Sequence, residues 1–277
     1  MLKKYNWVFN FLEEAGNIAI QNQNSALANN KEDKSIVTNT DLEISSLFEK
    51  YVKNNTDTDH YVIDEETCET IEIFKEITTD KDYVWSLDPI DGTKAYYQGM
   101  DEWGIMVSLF YKNNPILATC YMPTKKTIIY ADDKNSFILE NAFTKEESKT
   151  PFKENKHDLN KDSIVMTPFS LHYKNDFNIV SGKYTLLTPY SAAHNFYLCY
   201  TGKAHAAFFS GNMKLWDMAI SALFSKYSQI KLFNTKTGLE FNFLDLNLFE
   251  NNWTLKTPCL LCKEKDFEEI NKIITNK

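Results

Sequence analysis

Glycine, proline and cysteine are all scarce in this 277-residue chain, which has eight, seven and five of them. The cysteines Cys68, Cys120, Cys199, Cys259 and Cys262 are scattered and odd in number. That excludes a dense disulfide framework and fits a reducing cytoplasm. Cys259 and Cys262 form a single CxxC with no second pair and no nearby histidine to complete a zinc site, and a buried apolar strand over Cys259–Cys262 accounts for them. Long hydrophobic runs are also missing. The longest, near Trp103–Tyr111, falls far short of the roughly 20 residues that a helix needs to cross a bilayer. Met1–Ile20 has the basic start of a secretion signal, but Glu13 and Glu14 interrupt its apolar part, so it reads as an amphipathic helix. Positive charge is in deficit. A net charge of -8 argues against nucleic-acid and acidic-membrane partners, because phosphate surfaces attract basic faces. Internal repeats and low-complexity tracts are absent as well.

What is present is an ordinary globular mix, 43% hydrophobic and 25% charged, on a chain long enough for one large core or two joined halves. The 14% aromatic content reads as core, since no basic groove accompanies it. An acidic protein that handles a phosphate ester needs local positive charge, and bound metal cations supply it.

Residues 5–27 carry Trp7, Val8, Phe11, Leu12, Ala15, Ile18 and Ala19 at helical spacing. Asn29–Ser35 reads as an exposed loop. Thr40–Asn54 reads as a second helix, with Thr40 as cap and Glu43 three residues on. Strands are predicted over Tyr61–Ile63, Tyr83–Leu87, Gly104–Phe110, Ile116–Tyr121 and Thr127–Tyr130. The charged stretch Thr144–Lys161 is the candidate junction, dividing the chain into residues 1–150, an α+β half, and 151–277, an α/β half. Beyond it strands alternate with helices: strands at Ile164–Met166, Asn178–Ser181, His205–Phe209, Ile230–Phe233 and Cys259–Cys262, helices at Ser191–Thr201, Leu215–Lys226 and Asp266–Ile274. His172, His194 and His205 show no metal-ligand spacing and read as structural.

The chemistry is concentrated in Trp85-Ser86-Leu87-Asp88-Pro89-Ile90-Asp91-Gly92-Thr93-Lys94. An apolar strand runs straight into two carboxylates three residues apart. Two bare anions at a strand end are costly to bury, so solvent or a cation must neutralise them. Oxygen donors of this kind suit hard Mg2+. Pro89 fixes a φ angle between them. Gly92 permits positive φ or a close ligand approach, and the N–H groups of Gly92 and Thr93 form a candidate phosphate site. Asp-Pro and Asp-Gly are also common turn dipeptides, and the turn reading stays open on this segment alone. Asp64-Glu65-Glu66 ends another strand. Asp217 opens an apolar helix, where an acid also complements the helix dipole.

Asp88-Pro89-Ile90-Asp91-Gly92-Thr93, with Trp85 before it and Tyr96 after it, resembles the first signature of the inositol monophosphatase family. That superfamily includes fructose-1,6-bisphosphatases, nucleotide bisphosphate phosphatases and histidinol-phosphate phosphatases. Trp216-Asp217-Met218-Ala219 resembles its second signature, Val37-Thr38-Asn39-Thr40-Asp41 its early Thr-x-x-Asp segment, and Glu65-Glu66 its Gly-Glu-Glu. The motifs occur in the family's order. The resemblance implies a layered α/β/α/β/α sandwich of two joined halves and a Mg2+-dependent phosphomonoesterase acting on a small phosphorylated metabolite. It also implies two or three Mg2+ ions and a homodimer. Glu65, Asp88 and the Ile90 carbonyl would hold one ion, and Asp88, Asp91 and Asp217 a second. Thr93, supported by Asp41, would orient the attacking water, with Glu65 beside it. Gly92, Thr93, Ser191 and Ser210 would border the substrate. The loop at Lys31 and Asp33 resembles the mobile loop of a third metal site.

This chain departs from the pattern in three places. Asp64 stands where the family usually has glycine, Ile220 is bulkier than the usual residue, and Ser210 takes about the place of the glutamate that grips inositol hydroxyls. Lys94 is seen in nucleotide- and histidinol-phosphate-type members. Two alternatives are therefore carried: a 3'(2'),5'-bisphosphate nucleotidase, and a catalytically silent relative that binds a phosphorylated metabolite. The four intact residues Asp88, Asp91, Thr93 and Asp217 speak against the silent one.

Overall fold

The computed structural model describes residues 3–30, 36–57, 60–77, 82–153, 155–168, 181–211, 213–242 and 245–275. The chain opens with helix α1 (Trp7–Asn22), the short strands β1 (Ala28–Asn30) and β2 (Ile36–Thr38), and helix α2 (Asn39–Asn55). Strand β3 (His60–Asp64), helix α3 (Ile71–Ile77), strand β4 (Tyr83–Asp91) and helix α4 (Thr93–Tyr97) follow. Five strands come next: β5 (Gly104–Tyr111), β6 (Asn114–Met122), β7 (Thr127–Asp132), β8 (Ser136–Glu140) and β9 (Ser148–Thr150). The remainder runs β10 (Ile164–Met166), β11 (Thr185–Leu187), α5 (Ala192–Tyr200), β12 (Ala206–Phe209), α6 (Leu215–Met218), α7 (Ser221–Phe224), β13 (Ile230–Asn234), β14 (Cys259–Lys263) and α8 (Glu264–Thr275).

The strands form a seven-stranded sheet in the order β3 to β9 and a five-stranded sheet in the order β11-β10-β12-β14-β13, with β1 and β2 pairing separately. In the large sheet only β3 and β4 run parallel. Period-two alternation sorts its side chains. Trp85, Leu87, Val107 and Leu109 pack with Phe11, Leu12, Ile44 and Phe48 of α1 and α2. Met106, Ala118 and Cys120 face the other way, onto Phe196, Tyr200, Leu223 and Phe224 of α5 and α7. The same alternation divides β12: Ala207 and Phe209 join that middle layer, while Ala206 and Phe208 pack with Phe267 and Ile270 of α8. The layers are therefore helix, sheet, helix, sheet, helix, as the resemblance implied.

Several local expectations change. The cap of α2 is Thr38, not Thr40. The Thr38 side chain accepts the Asp41 N–H and the Asp41 carboxylate accepts the Thr38 N–H at 2.8 Å, a capping box with Asp41 in the third position. Thr40 lies buried inside the helix. The single helix expected over Leu215–Lys226 is two short ones. The Ser221 hydroxyl donates to the Met218 carbonyl at 2.8 Å, and the turn between them is closed by tighter i to i+3 bonds such as Ala222 N–H to Ala219 O. Cys259 faces the middle layer and Cys262 the outer one, so the two thiols lie on opposite faces of β14, and all five cysteines are free. Residues 178–180 of the strand expected at Asn178–Ser181 and the Lys31–Asp33 loop lie outside the described residues, as does His172, and Ser181 is in no strand.

Candidate active site

The two carboxylates of the Asp88–Asp91 segment reach one face of the sheet because of a bulge. Residues three apart on a regular strand point to opposite sides. In the β4–β5 ladder Asp88 pairs with Met106 and Asp91 with Gly104, so three steps on β4 match two on β5. The extra residue reverses the alternation. Ile90 joins Trp85 and Leu87 in the core under α1 and α2, and Asp91 turns to the face that Asp88 occupies. Pro89, which lacks an N–H, costs no ladder bond at such a position.

Asp217 arrives from the other half of the chain, on the first turn of α6, where it accepts the Lys214 N–H at 2.7 Å. Oxygen atoms of Asp88, Asp91 and Asp217 all lie within 4.8 Å of one another. Burial pushes the Asp88 carboxyl well above the usual carboxylate range, with further push from Glu65, Asp91, Asp217 and Asp41. Asp217 is raised likewise, by burial and then by Asp91 and Glu65. Asp91 is pushed up to about 6 by burial, although hydrogen bonds from Ala193, Ser191 and Ala192 oppose the shift. Glu65 follows directly on β3 beside this group, its N–H bonded to the Leu87 carbonyl at 3.3 Å, and adds charge to all three without joining the 4.8 Å set.

These residues fit a divalent cation. Asp88 is 1% exposed and its Oδ1 has no hydrogen-bond partner. Buried anions are neutralised by protons, counter-charges or metals. Three carboxylates are an oxygen-only donor set, which Mg2+ or Ca2+ prefers.

Thr93 begins α4, and its hydroxyl lies 3.1 Å from the Ile90 carbonyl and 3.4 Å from Asp41 Oδ1. The other Asp41 oxygen is occupied by Thr38. Gly92, with φ +88°, sits where an added Cβ would lie 2.6 Å from Ser191 Cβ and 2.9 Å from the Glu102 carbonyl. Ser191 caps α5, accepting the His194 N–H at 2.9 Å, and Asp91 Oδ2 accepts the Ala193 N–H at 2.5 Å. Helix α5 comes this close because Gly104 has no side chain: a Cβ there would lie 2.7 Å from Ala193 Cβ. A cleft of about 300 Å³ opens beside Asp91 and Asp217, bordered by Ser191, Ser210 and Asn195.

Asp64, the family's usual glycine position, is buried. It accepts the Glu66 N–H at 2.8 Å and the Ser45 hydroxyl at 3.0 Å, which ties the Glu65 turn to α2. Ile220 is fully buried in the middle layer. His194 is held down to about pH 4 by burial, with Lys125 and Lys203 contributing, and stays neutral. His205 is held between Asn155 and Ser163 at 3.4 and 3.3 Å. The sequence reading did not single out Thr167 or Asn195, which also line the cleft. Nothing in their local sequence marks them.

The model of the inositol monophosphatase family matches residues 7–223. The chain belongs to the inositol monophosphatase family. It is thereby a member of a phosphatase family, hydrolases of phosphate monoesters. A crystal structure of an IMPase/NADP phosphatase complexed with Mg2+ and phosphate is 20% identical, over 96% of this chain and 92% of that one, with a TM-score of 0.75. A staphylococcal IMPase-I complexed with products is 20% identical, over 99% and 95%, at 0.76. A Thermotoga maritima IMPase is 15% identical, over 99% and 98%, at 0.76. At these identities the likeness establishes the fold of this family member. The 3'(2'),5'-bisphosphate nucleotidase CysQ of Haemophilus influenzae is 34% identical over 102 residues, 36% of each chain. The chloroplastic bifunctional phosphatase IMPL2 of Arabidopsis thaliana is 49% identical over 45 residues, 16% of this chain and 13% of its own length. Matched sequence thus spans well under two thirds of either curated relative.

Proposed function

We propose that this family member is a Mg2+-dependent phosphomonoesterase acting on a small phosphorylated metabolite. The observation that carries the reading is the set of three carboxylates within 4.8 Å, two of them buried, with one oxygen of Asp88 lacking a partner. Asp88, Asp91 and Asp217, with Glu65 and the Ile90 carbonyl beside them, would hold the ions. Bound there, Mg2+ supplies the positive charge that a phosphate needs and lowers the pKa of water. The chain contains no arginine, so the two-pronged guanidinium clamp that often grips phosphate is not available to it.

The residues do the rest. The Thr93 hydroxyl donates to Asp41 Oδ1 or to the Ile90 carbonyl, which leaves its lone pairs to accept a hydrogen bond from the attacking water and fix its direction. Asp41 is itself held by Thr38, so the pair is positioned before substrate arrives. Gly92 and Thr93 present the phosphate side of the site, and Ser191 and Ser210 the side of the leaving group. Among the described residues no helix is long and apolar enough to cross a membrane, and a small-molecule ester is the partner proposed. A homodimer is part of the proposal, and sedimentation velocity measures it.

The test is phosphate release from inositol 1-phosphate, 3'-phosphoadenosine 5'-phosphate, fructose 1,6-bisphosphate and histidinol phosphate, each with Mg2+ and with chelator. Chelator-sensitive release from any of them supports the reading. Absence of release from all of them, with metal bound by calorimetry, turns it toward the silent relative. The nucleotidase alternative is favoured by the CysQ match, and preferential release from the 3'-phosphonucleotide decides for it.

A further inference from the structure

Asp64, at the family's usual glycine position, is the last residue of β3 and directly precedes Glu65. Alternation along β3 sends Ile63 to the middle layer and Asp64 to the opposite face, under α2. The Asp64 side chain is fully buried, and its Oδ2 has no hydrogen-bond partner. A buried oxygen left unpaired costs free energy that glycine avoids. A costly group of this kind calls for an explanation, and the other oxygen supplies one.

Asp64 Oδ1 accepts two hydrogen bonds, from the Glu66 N–H at 2.8 Å and from the Ser45 hydroxyl at 3.0 Å. The first closes a side-chain turn around Glu65. The Asp64 carbonyl tightens it by accepting the N–H groups of Thr67 and Cys68 at 3.2 and 2.8 Å. Glycine would offer that carbonyl but no side-chain acceptor. The second bond reaches α2. Ser45 lies four residues after Asp41, so the two side chains leave one face of that helix, about a turn apart. Asp41 meets the Thr93 hydroxyl at 3.4 Å, and Ser45 meets Asp64. One helix thus holds both the water-orienting pair and the turn that presents Glu65.

We propose that Asp64 is a positioning residue of the metal cluster: through Ser45 it locks the Glu65 turn to the helix that carries Asp41, so that Glu65 and the Thr93–Asp41 pair keep one spacing. The proposal rests on the reading of Glu65 as a residue that holds metal beside Asp88, Asp91 and Asp217, and adds to it what holds Glu65. Groups that orient a ligand from behind typically change metal affinity by about 10–100-fold when they are lost.

The experiment titrates Mg2+ by calorimetry into metal-free wild type, Asp64→Gly, Asp64→Asn, Ser45→Ala and the Ser45→Ala/Asp64→Gly double variant. Asp64→Gly is expected to bind Mg2+ about tenfold more weakly. Asp64→Asn keeps the Oδ1 acceptor and should bind nearly as wild type does, which separates the hydrogen bonds from the charge. Ser45→Ala should fall between the two and add nothing to Asp64→Gly, where its partner is already gone. Wild-type affinity in Asp64→Gly overturns the proposal whatever the Tm of the variant, and so does a loss in Asp64→Asn as large as that in Asp64→Gly. Should Asp64→Gly fail to fold, Ser45→Ala decides: weaker Mg2+ binding than wild type supports the proposal, and equal binding overturns it. If the wild type binds Mg2+ but releases phosphate from no substrate, the phosphatase reading has failed and the affinities still judge Asp64. A wild type that binds no Mg2+ overturns both.

Discussion

The Asp91 carboxylate accepts the backbone N–H of Ala193, 102 residues further along the chain, at 2.5 Å. One oxygen thus serves the start of α5, while the same residue stands within 4.8 Å of Asp88 and Asp217. A residue of the large sheet is in this way tied to a helix of the middle layer and to the acidic cluster at once. Asp91→Ala should therefore lower stability as well as activity. The loss expected is about 1–2 kcal/mol for the missing helix-end bond, read as a lower midpoint in urea. An unchanged midpoint would show that the helix does not depend on it.

Metal-free protein should lose stability as pH rises from about 4 through 6 and above. The ordinary carboxyl value is 3.8, and the folded values of Asp91 and Asp64 are about 6, with burial the leading cause for each. Asp88 and Asp217 are raised well above the ordinary range, again by burial first. A raised acid binds its proton more tightly in the folded state. Its contribution is present below pH 3.8 and is lost as pH climbs through the folded value. For Asp91 alone this amounts to roughly 3 kcal/mol. Calorimetry with chelator should give a lower Tm at pH 8 than at pH 5.5, and millimolar Mg2+ should reverse the order by favouring the ionised cluster.

Asp88→Asn is expected to reduce phosphate release roughly a thousandfold by removing a central ligand. The same change should raise, not lower, the Tm of metal-free protein at pH 8, since it deletes a buried anion repelled by Glu65, Asp91 and Asp217. It should also abolish the rise in Tm on adding Mg2+. A variant that is fully active, or one as responsive to Mg2+ as the parent, contradicts the assignment.

Thr93→Ala should lower kcat by about 10²–10⁴ with little change in KM, because the hydroxyl orients water and is not needed to hold the ester. Thr93→Ser should restore most of the rate. Equal loss in both variants would move Thr93 from orientation to packing.

Gly92→Ala should be poorly tolerated. The residue has φ +88°, and a Cβ would lie 2.6 Å from Ser191 Cβ and 2.9 Å from backbone. Backbone strain and the clash together are expected to cost about 2–3 kcal/mol, with activity lost as α5 is displaced. Chemical denaturation and phosphate release measure both.

Much of this was legible in the chain. Asp88-Pro89-Ile90-Asp91-Gly92-Thr93 is legible because a hydrophobic strand ending in two acids is locally improbable without a partner. The sheet strands were legible where turn residues flank runs rich in β-branched and aromatic residues, as around β5 and β6. Other features depend on distant partners. Thr38 and Thr40 both stand before an apolar run, and only the end of β2 and the Asp41 side chain decide which one caps α2. The break between α6 and α7 turns on one Ser221 hydroxyl. Thr167 and Asn195 look like any loop threonine and helix asparagine. Their unpaired state exists only once β10 and α5 wall the same cleft.

The bulge at Pro89 and Ile90 makes the site sensitive to chain length as well as to residue type. A substitution there changes one side chain and leaves its neighbours facing as before. Adding a single residue to β5 between Gly104 and Met106 would instead match three steps with three and restore the regular pleat of β4. Asp91 would then enter the apolar layer beneath α1 and α2, among Trp85, Leu87 and Phe48, and Ile90 would take its place opposite Ala193. One added codon on the facing strand would take an acid from the cluster and place a charge in the core. The spacing between the two acids is therefore held by the pleat as firmly as their identity is held by the chemistry.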